Sequence, residues 1–333
     1  MSRMVTVGPA EGGQKLLRYL ERSLGCPRAD IYRWLRTGQI RVNGGRVKPE
    51  RLLETGDEIR LPPQAGAADA KAPAEGLRAC EMGPEMLGQG LAIVWQNEDI
   101  LVLDKPSGLP VQGGSGHEDS VAARLKAACP AGCYVPAPAH RLDLHASGLL
   151  LCGKTHAEQT RLHGLFRESK AELERGYLCW VKGDAAQIFA ERRLLEDFVA
   201  PERVPEKRAV GYADGKSAAV WRERMAVVNS STPGAKPARA YYLCLSTVPD
   251  SRLGMVSLMQ AWLLTGRKHQ IRVQLAARGF PLLGDGRYGG TTGFEFMLHA
   301  WQISLPLPGG PLRLKSLPNW PGRFAVPDNI LIL

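Results

Sequence analysis

No apolar run in this 333-residue chain approaches the roughly 18 residues of a membrane-crossing helix; the longest candidates, 91–95 and 148–152, have only the length of a strand. The first residues, MSRMVTVGPAEGG, contain no apolar segment of signal-peptide type, so no secretory leader is expected. Seven cysteines, an odd number scattered along the chain, predict reduced thiols in a cytoplasmic protein. Cys129 and Cys133 have no second ligand pair at finger spacing, which argues against a structural metal. The spacing of a nucleotide phosphate loop is missing, as is any internal repeat.

What is present is an ordinary globular balance, 44% hydrophobic and 23% charged, in a length that suits one large domain or two unequal ones. Lys and Arg number 43 against 33 Asp and Glu, a net charge of +10. Such an excess favours a polyanionic partner, nucleic acid first and an anionic membrane surface second.

Residues 14–63 hold eleven basic and six acidic side chains, half of the net charge in about a seventh of the length. Leu17, Leu20 and Leu24 recur at helical spacing, and a second helix is predicted over 31–36, between Asp30 and Gly38. A strand over 39–42 runs into Asn43-Gly44, a hairpin signal, and a last strand is predicted over 58–61. Arg33 and Arg36 share a helix face, with Arg28 just upstream. A solvated basic face is the plain reading; the charge density favours a phosphate-gripping one. With Arg41-Val42-Asn43-Gly44 and Gly56-Asp57-Glu58-Ile59, the unit resembles an S4 RNA-binding domain. Such domains hold structured RNA by its backbone more than by its sequence. The resemblance makes Arg28, Arg33, Arg36 and Arg41 candidate RNA contacts.

Residues 64–88 are rich in Pro, Ala and Gly without hydrophobic period and read as a semi-flexible linker, on which the S4-like unit would move. Beyond it, residues 89–333 interleave helix and strand without a βαβ rhythm, so a mixed α+β fold is expected. Strands are predicted over 91–95, 100–103, 148–152 and 177–181, helices over 120–128 and 156–166, and a surface loop over 228–240.

The densest chemical signal is His140-Arg141-Leu142-Asp143, followed by Ser147-Gly148 and an apolar strand. A lone aspartate before a strand is most often a turn residue, yet loops at strand ends are also where rigid scaffolds present reactive groups. The second signal runs from Thr265-Gly266-Arg267-Lys268-His269-Gln270-Ile271-Arg272 through Gly284-Asp285 to Tyr288. The third is Tyr177, on a strand, which taken alone reads as core packing.

Together with Asp104-Lys105-Pro106-Ser107-Gly108 and Leu298-His299-Ala300, these segments resemble the RluA family of pseudouridine synthases over most of 91–305. His140 separates that family from its RsuA relatives, which carry Gly there. The leading S4-like unit and Gly113-Gly114-Ser115-Gly116 look most like the RluC type, which modifies large-subunit ribosomal RNA. The resemblance implies a mixed, mostly antiparallel curved sheet with an RNA cleft and no metal or organic cofactor. It implies that Asp143 acts at the target uridine's C1′ or on its sugar protons, and that Arg272 pairs with Asp143. Tyr177 would stack on the uracil or serve as a base, Arg141 would fill the gap left by the flipped uridine, and Leu298 would wall the pocket. His140 and Arg267 join the RNA-binding set. A monomer suffices. Two positions depart from the family pattern: Leu144-His145-Ala146 replaces Arg-Asp-Thr after the aspartate, and Val220 replaces a threonine following Gly215-Lys216-x-Ala218. The same motifs suit a tRNA or another ribosomal site, and the S4-like unit alone would suit an assembly factor; Asp143, Tyr177 and Arg272 together favour the enzyme.

Overall fold

The computed structural model describes residues 2–66, 76–83, 87–88, 90–114, 118–168, 172–205, 210–211, 217–218, 221–291 and 293–327. Ser115 and Gly116, Gly215 and Lys216, Val220, and 67–75 and 84–86 of the expected linker lie outside the described residues. No described helix is long and apolar enough to cross a membrane. The chain packs as two units: Met1–Lys105, Leu109–Leu142 and Leu150–Gly164 in the first, Pro106–Gly108, Asp143–Leu149 and Leu165–Leu333 in the second.

The first unit opens with β1 (Arg3–Thr6), α1 (Leu16–Leu24), α2 (Arg28–Arg36), β2 (Arg41–Val42) and β3 (Glu58–Leu61), with the sheet ordered β1-β3-β2. Leu17, Leu20 and Leu24 pack inward as their spacing predicts, with Ile31, Trp34 and Leu35 of α2 against them. Truncating a buried leucine such as Leu20 to alanine costs about 2–5 kcal/mol. α1 stops at Gly25, whose left-handed backbone closes the last turn. α2 begins three residues earlier than predicted, directly after Pro27. Strand β1 went unread, although Val5 and Val7 alternate into the core.

The two S4-like motifs interlock. Asn43 and Gly44 both have positive φ, the geometry of a tight hairpin turn. Asn43 donates to Asp57 at 2.7 Å and accepts the Glu58 N–H at 2.8 Å. Asp57 also accepts from Arg51 and the Glu54 N–H. Burial pushes the Asp57 carboxyl up, but these hydrogen bonds outweigh it and hold the group below its usual range.

Two expectations differ here. The expected linker is pinned where it is described: Leu77 N–H donates to Glu11, the Leu77 carbonyl accepts from Ala10, and the Met82 backbone makes a reciprocal pair with the Gln96 amide. Backbone polar groups near packed elements find partners whatever their composition suggests. Arg78 pairs with both Gly132 and Tyr134, which brings Cys80 and Cys133 to a Cα separation of 5.7 Å, and they form a disulfide. Five cysteines are free thiols rather than all seven.

The chain continues through β4 (Ala92–Gln96), β5 (Ile100–Lys105), α3 (Val121–Ala128), β6 (Ala137–Pro138), β7 (Ser147–Gly153) and α4 (His156–Glu168), with β5 between β4 and β7; the start of β7 and the end of α4 belong to the second unit. Ser120 caps α3 by accepting the Ala123 N–H.

The second unit adds β8 (Glu174–Lys182), α5 (Ala186–Phe189), β9 (Arg193–Pro205), β10 (Val210–Gly211), β11 (Ser217–Ala218), β12 (Trp221–Val228), β13 (Lys236–Asp250), β14 (Gly254–Leu263), α6 (Gln270–Ala276), β15 (Leu298–Leu307) and β16 (Gly310–Lys315). Its sheet runs β12-β9-β13-β14-β8-β15, antiparallel throughout, and β15 meets the start of β7 in parallel at His299–Ser147 and Ala300–Gly148. The fold is therefore α+β with a mixed, mostly antiparallel sheet. Bulges at 244–246 and 300–302 shift register along β13 and β15. β13 begins at Lys236, inside the expected surface loop, because Ala238, Ala240 and Tyr242 alternate into the core. Small alanines carry that period weakly.

Candidate active site

Asp143 stands at the end of a loop fixed by backbone bonds. Ala146 N–H closes a turn on the Asp143 carbonyl, Gly108 N–H donates to Leu144, and the Ser107 hydroxyl donates to the His145 carbonyl. The substituted stretch Leu144-His145-Ala146 thus keeps its place through main-chain contacts that do not depend on its side chains. The following Ser147 hydroxyl bonds His299 Nδ1 at 2.8 Å, while His299 Nε2 donates to the Ser316 carbonyl. Gly148 has φ +106°, and a Cβ there would lie 2.3 Å from the Ala300 carbonyl oxygen. Only glycine lets the two strands meet so closely.

The second motif folds back on itself. The Thr265 hydroxyl donates to Gln270 Oε1 at 2.8 Å, the Arg267 N–H reaches the same oxygen, and Gln270 Nε2 donates to the Arg239 carbonyl. This knot starts α6 and sets Arg272 in its first turn. Farther along α6, buried Gln274 bonds both Tyr242 and Asp197, fixing the helix on the sheet.

Arg272 Nη1 donates to Asp143 Oδ2 at 2.8 Å. Its Nε and Nη2 meet the two oxygens of Asp285 at 2.7 and 2.9 Å in a forked pair. Burial lowers the guanidinium's pKa, but Asp285 and then Asp143 more than offset it, and the net direction is upward. Arg272 also lies over Tyr288 and Phe296, at 5.0 and 5.1 Å from their ring centres. One cation therefore serves two carboxylates, and the fully buried Asp285 anchors it for the half-exposed Asp143.

His269 has a left-handed backbone, φ 56°, uncommon for a non-glycine residue. Its Nδ1 lies 2.9 Å from the Tyr288 hydroxyl, which already accepts the Met225 N–H. In the tautomer whose Nδ1 accepts from that hydroxyl, the ring proton stands on Nε2, which faces Asp143 Oδ1 at 3.9 Å. Burial pushes the imidazolium down to about 4, Asp143 opposing and Arg272, Arg287 and Lys268 reinforcing the shift. The ring is neutral near pH 7.

Tyr177 pairs with Ala261 and Ala300, on the strand face that also carries Leu298, the register partner of Cys179. Burial raises the phenol's pKa and the Asp143 charge adds to this, with Arg175 opposing. The phenol is therefore held protonated near pH 7.

The other sequence-derived candidates sit as follows. Arg141 is exposed, while His140 Nε2 accepts the Leu151 N–H of β7. Arg267 donates to the Pro237 carbonyl. Arg28 pairs with Glu21 and Arg33 with Asp30, both at the surface; Arg36 is exposed; Arg41 donates to the Gly38 and Gly44 carbonyls. Asp285, His269 and Tyr288 carry roles that sequence reasoning missed, although all three stood in the second motif. Asp285 follows Arg272 by thirteen residues, and no local period links them.

Residues 99–277 match the RNA pseudouridylate synthase family and residues 14–59 the S4 domain. The chain belongs to the RNA pseudouridylate synthase family. Its relatives include the ribosomal large subunit pseudouridine synthase C of Escherichia coli K12, 30% identical over 327 residues, or 92% of this chain and 89% of that protein. The protein of the same name from Haemophilus influenzae is 31% identical over 291 residues, or 86% and 79%. Human RNA Pseudouridylate Synthase Domain Containing 1 shares the fold, with a TM-score of 0.50 at 22% identity, covering 71% of this chain and 86% of that one. This pseudouridine synthase, with its S4 domain, takes RNA as its partner.

Proposed function

We propose that this pseudouridine synthase isomerises specific uridines of 23S ribosomal RNA, as a cytoplasmic monomer. The near-full-length likeness to proteins named for the large ribosomal subunit supports the substrate. The observation that carries the chemistry is Asp143 bonded to an arginine that is itself clamped by Asp285.

Asp143 engages the sugar of the flipped uridine at C1′ or its neighbouring proton. The C1′–N1 bond breaks with its electron pair on the uracil, which delocalises it over the ring and its carbonyls. This leaving group needs no strong general acid, unlike the leaving group in glycoside hydrolysis. The uracil turns, C5 bonds to C1′, the C5 proton departs and N1 gains one, so the step is an isomerisation without redox change. Arg272 keeps Asp143 ionised and aimed. Tyr177 stacks on the uracil against the apolar wall of Leu298. Arg141, exposed two residues ahead of Asp143, fills the vacated stack, and flipping costs a few kcal/mol. Arg28, Arg33, Arg36 and Arg41 hold RNA by its backbone, and Arg267 contacts the substrate strand.

The test is pseudouridine mapping on unmodified 23S RNA and bulk unmodified tRNA, each treated with wild type and Asp143→Asn. Discrete 23S sites lost in the variant are expected. Sites confined to tRNA would keep the chemistry and overturn the substrate.

A further inference from the structure

Arg175 is a buried charge with no counter-charge among the described residues. It precedes Tyr177 by two residues on β8, so the alternation of the strand puts both on one face, about 7 Å apart. The residue is 7% exposed. Its Nη2 donates to the Leu263 carbonyl at 3.1 Å, its Nε has no partner, and the guanidinium lies over the Phe166 ring. No carboxylate among the described residues pairs with it. Arg272, equally buried, has two carboxylates. Burying a cation unpaired is expensive, and an external anion would supply the missing charge.

The way in passes Gly266. A Cβ at Gly266 would stand 3.0 Å from Arg175 Nη1. Gly266 is exposed and its φ lies outside the left-handed region, so what matters at this position is the space left over the guanidinium edge.

We propose that Arg175 and the Gly266 turn form a binding site for one RNA phosphodiester, the one flanking the target uridine. The phosphate sits over Gly266 and accepts from Arg175 Nη1. The spacing from Tyr177 suits a nucleotide whose base rests on that ring. The site rests on the pseudouridine synthase reading and adds to it a fixed point on the backbone. Arg175 pays its desolvation cost in the free protein and recovers it when RNA binds.

The test uses the full-length protein and unmodified 23S transcript, with affinity measured across a salt series. Arg175→Met is expected to bind about tenfold more weakly, with a salt slope shallower by about one. Its Tm in the absence of RNA should be unchanged or higher, because an unpaired buried charge has gone. A structural arginine would instead lower the Tm and leave affinity intact, and that result overturns the proposal. Gly266→Ala, which crowds Nη1 and leaves the arginine in place, should also weaken RNA binding without lowering the Tm; unchanged affinity counts against the site. If Arg175→Met does not fold, Gly266→Ala decides. Short RNAs around the mapped uridine, each with a single methylphosphonate linkage, identify the phosphate. One substitution should weaken wild type about tenfold and Arg175→Met little; equal losses in both overturn the assignment. Wild type that forms no pseudouridine would sink the enzymatic reading first, before any variant is compared.

Discussion

The S4 region and the Asp143 site both rely on arginine, under opposite electrical conditions. In the S4 region, the Arg28 and Arg33 side chains are 64% and 58% exposed, and their partners Glu21 and Asp30 are also solvated. Such pairs contribute little and are cheap to exchange for another anion. Around Asp143, Arg272 is 10% exposed and Asp285 1%. There the same ionic chemistry is desolvated and geometrically fixed, so breaking one partner leaves an orphan. The two sets of ion pairs thus differ in dielectric environment more than in residue type.

The largest expected effect comes from Asp143→Asn. It should lower single-turnover isomerisation by about 10⁴-fold or more with RNA affinity within a few-fold of wild type. Since C5 must lose its proton, release of tritium from C5-labelled uridine reads the step directly. Next comes Asp285→Asn, which never touches substrate. Loss of the forked anchor should reduce the rate about 10²-fold with KM little changed, and destabilise the fold by roughly 3 kcal/mol. A variant at Asp285 with wild-type rate would break the comparison, since Asp143 would then not depend on the buried pair.

The third effect is on stability against pH. The His269 pKa is about 4 in the fold against an ordinary 6.5, so the unfolded chain binds the extra proton between those values. Stability should therefore fall as pH drops from 6.5 toward 4, by up to roughly 3 kcal/mol from this residue. His269→Gln should flatten that segment of the curve, as thermal melts across the range would show; an unchanged curve would exclude His269 as its source. The smallest effect per residue is in the S4 region. Substituting Arg33, Arg36 and Arg41 by alanine together should weaken binding and make its salt dependence shallower, leaving the single-turnover rate at saturating RNA intact. Point changes are the sharper tool here. Deleting 1–63 would also strip Glu11 from the Leu77 N–H and Ala10 from the His156 N–H.

The elements legible in the sequence were those with a strong local period or turn chemistry: the leucines of α1, the Asn43-Gly44 turn, and the apolar run of β7. What escaped depended on distant partners. β1 exists because β3 pairs with it, and β13 reaches back to Lys236 because alanines there face a core built elsewhere. Asp143 and Arg272 stood out through the family resemblance, 129 residues apart. Their support did not, because an aspartate after a glycine looks like a turn until Arg272 is seen to grip it.

Gly148 has a consequence for how this sequence can vary. Its Cβ-free contact with Ala300 occurs where the parallel joint of the sheet adjoins the loop of Asp143. In a saturation library selected for folded protein, position 148 should admit no replacement, not even alanine, while Leu149, Leu150 and Leu151 tolerate other aliphatics. The least chemical residue beside the Asp143 loop would then be the one under the tightest constraint.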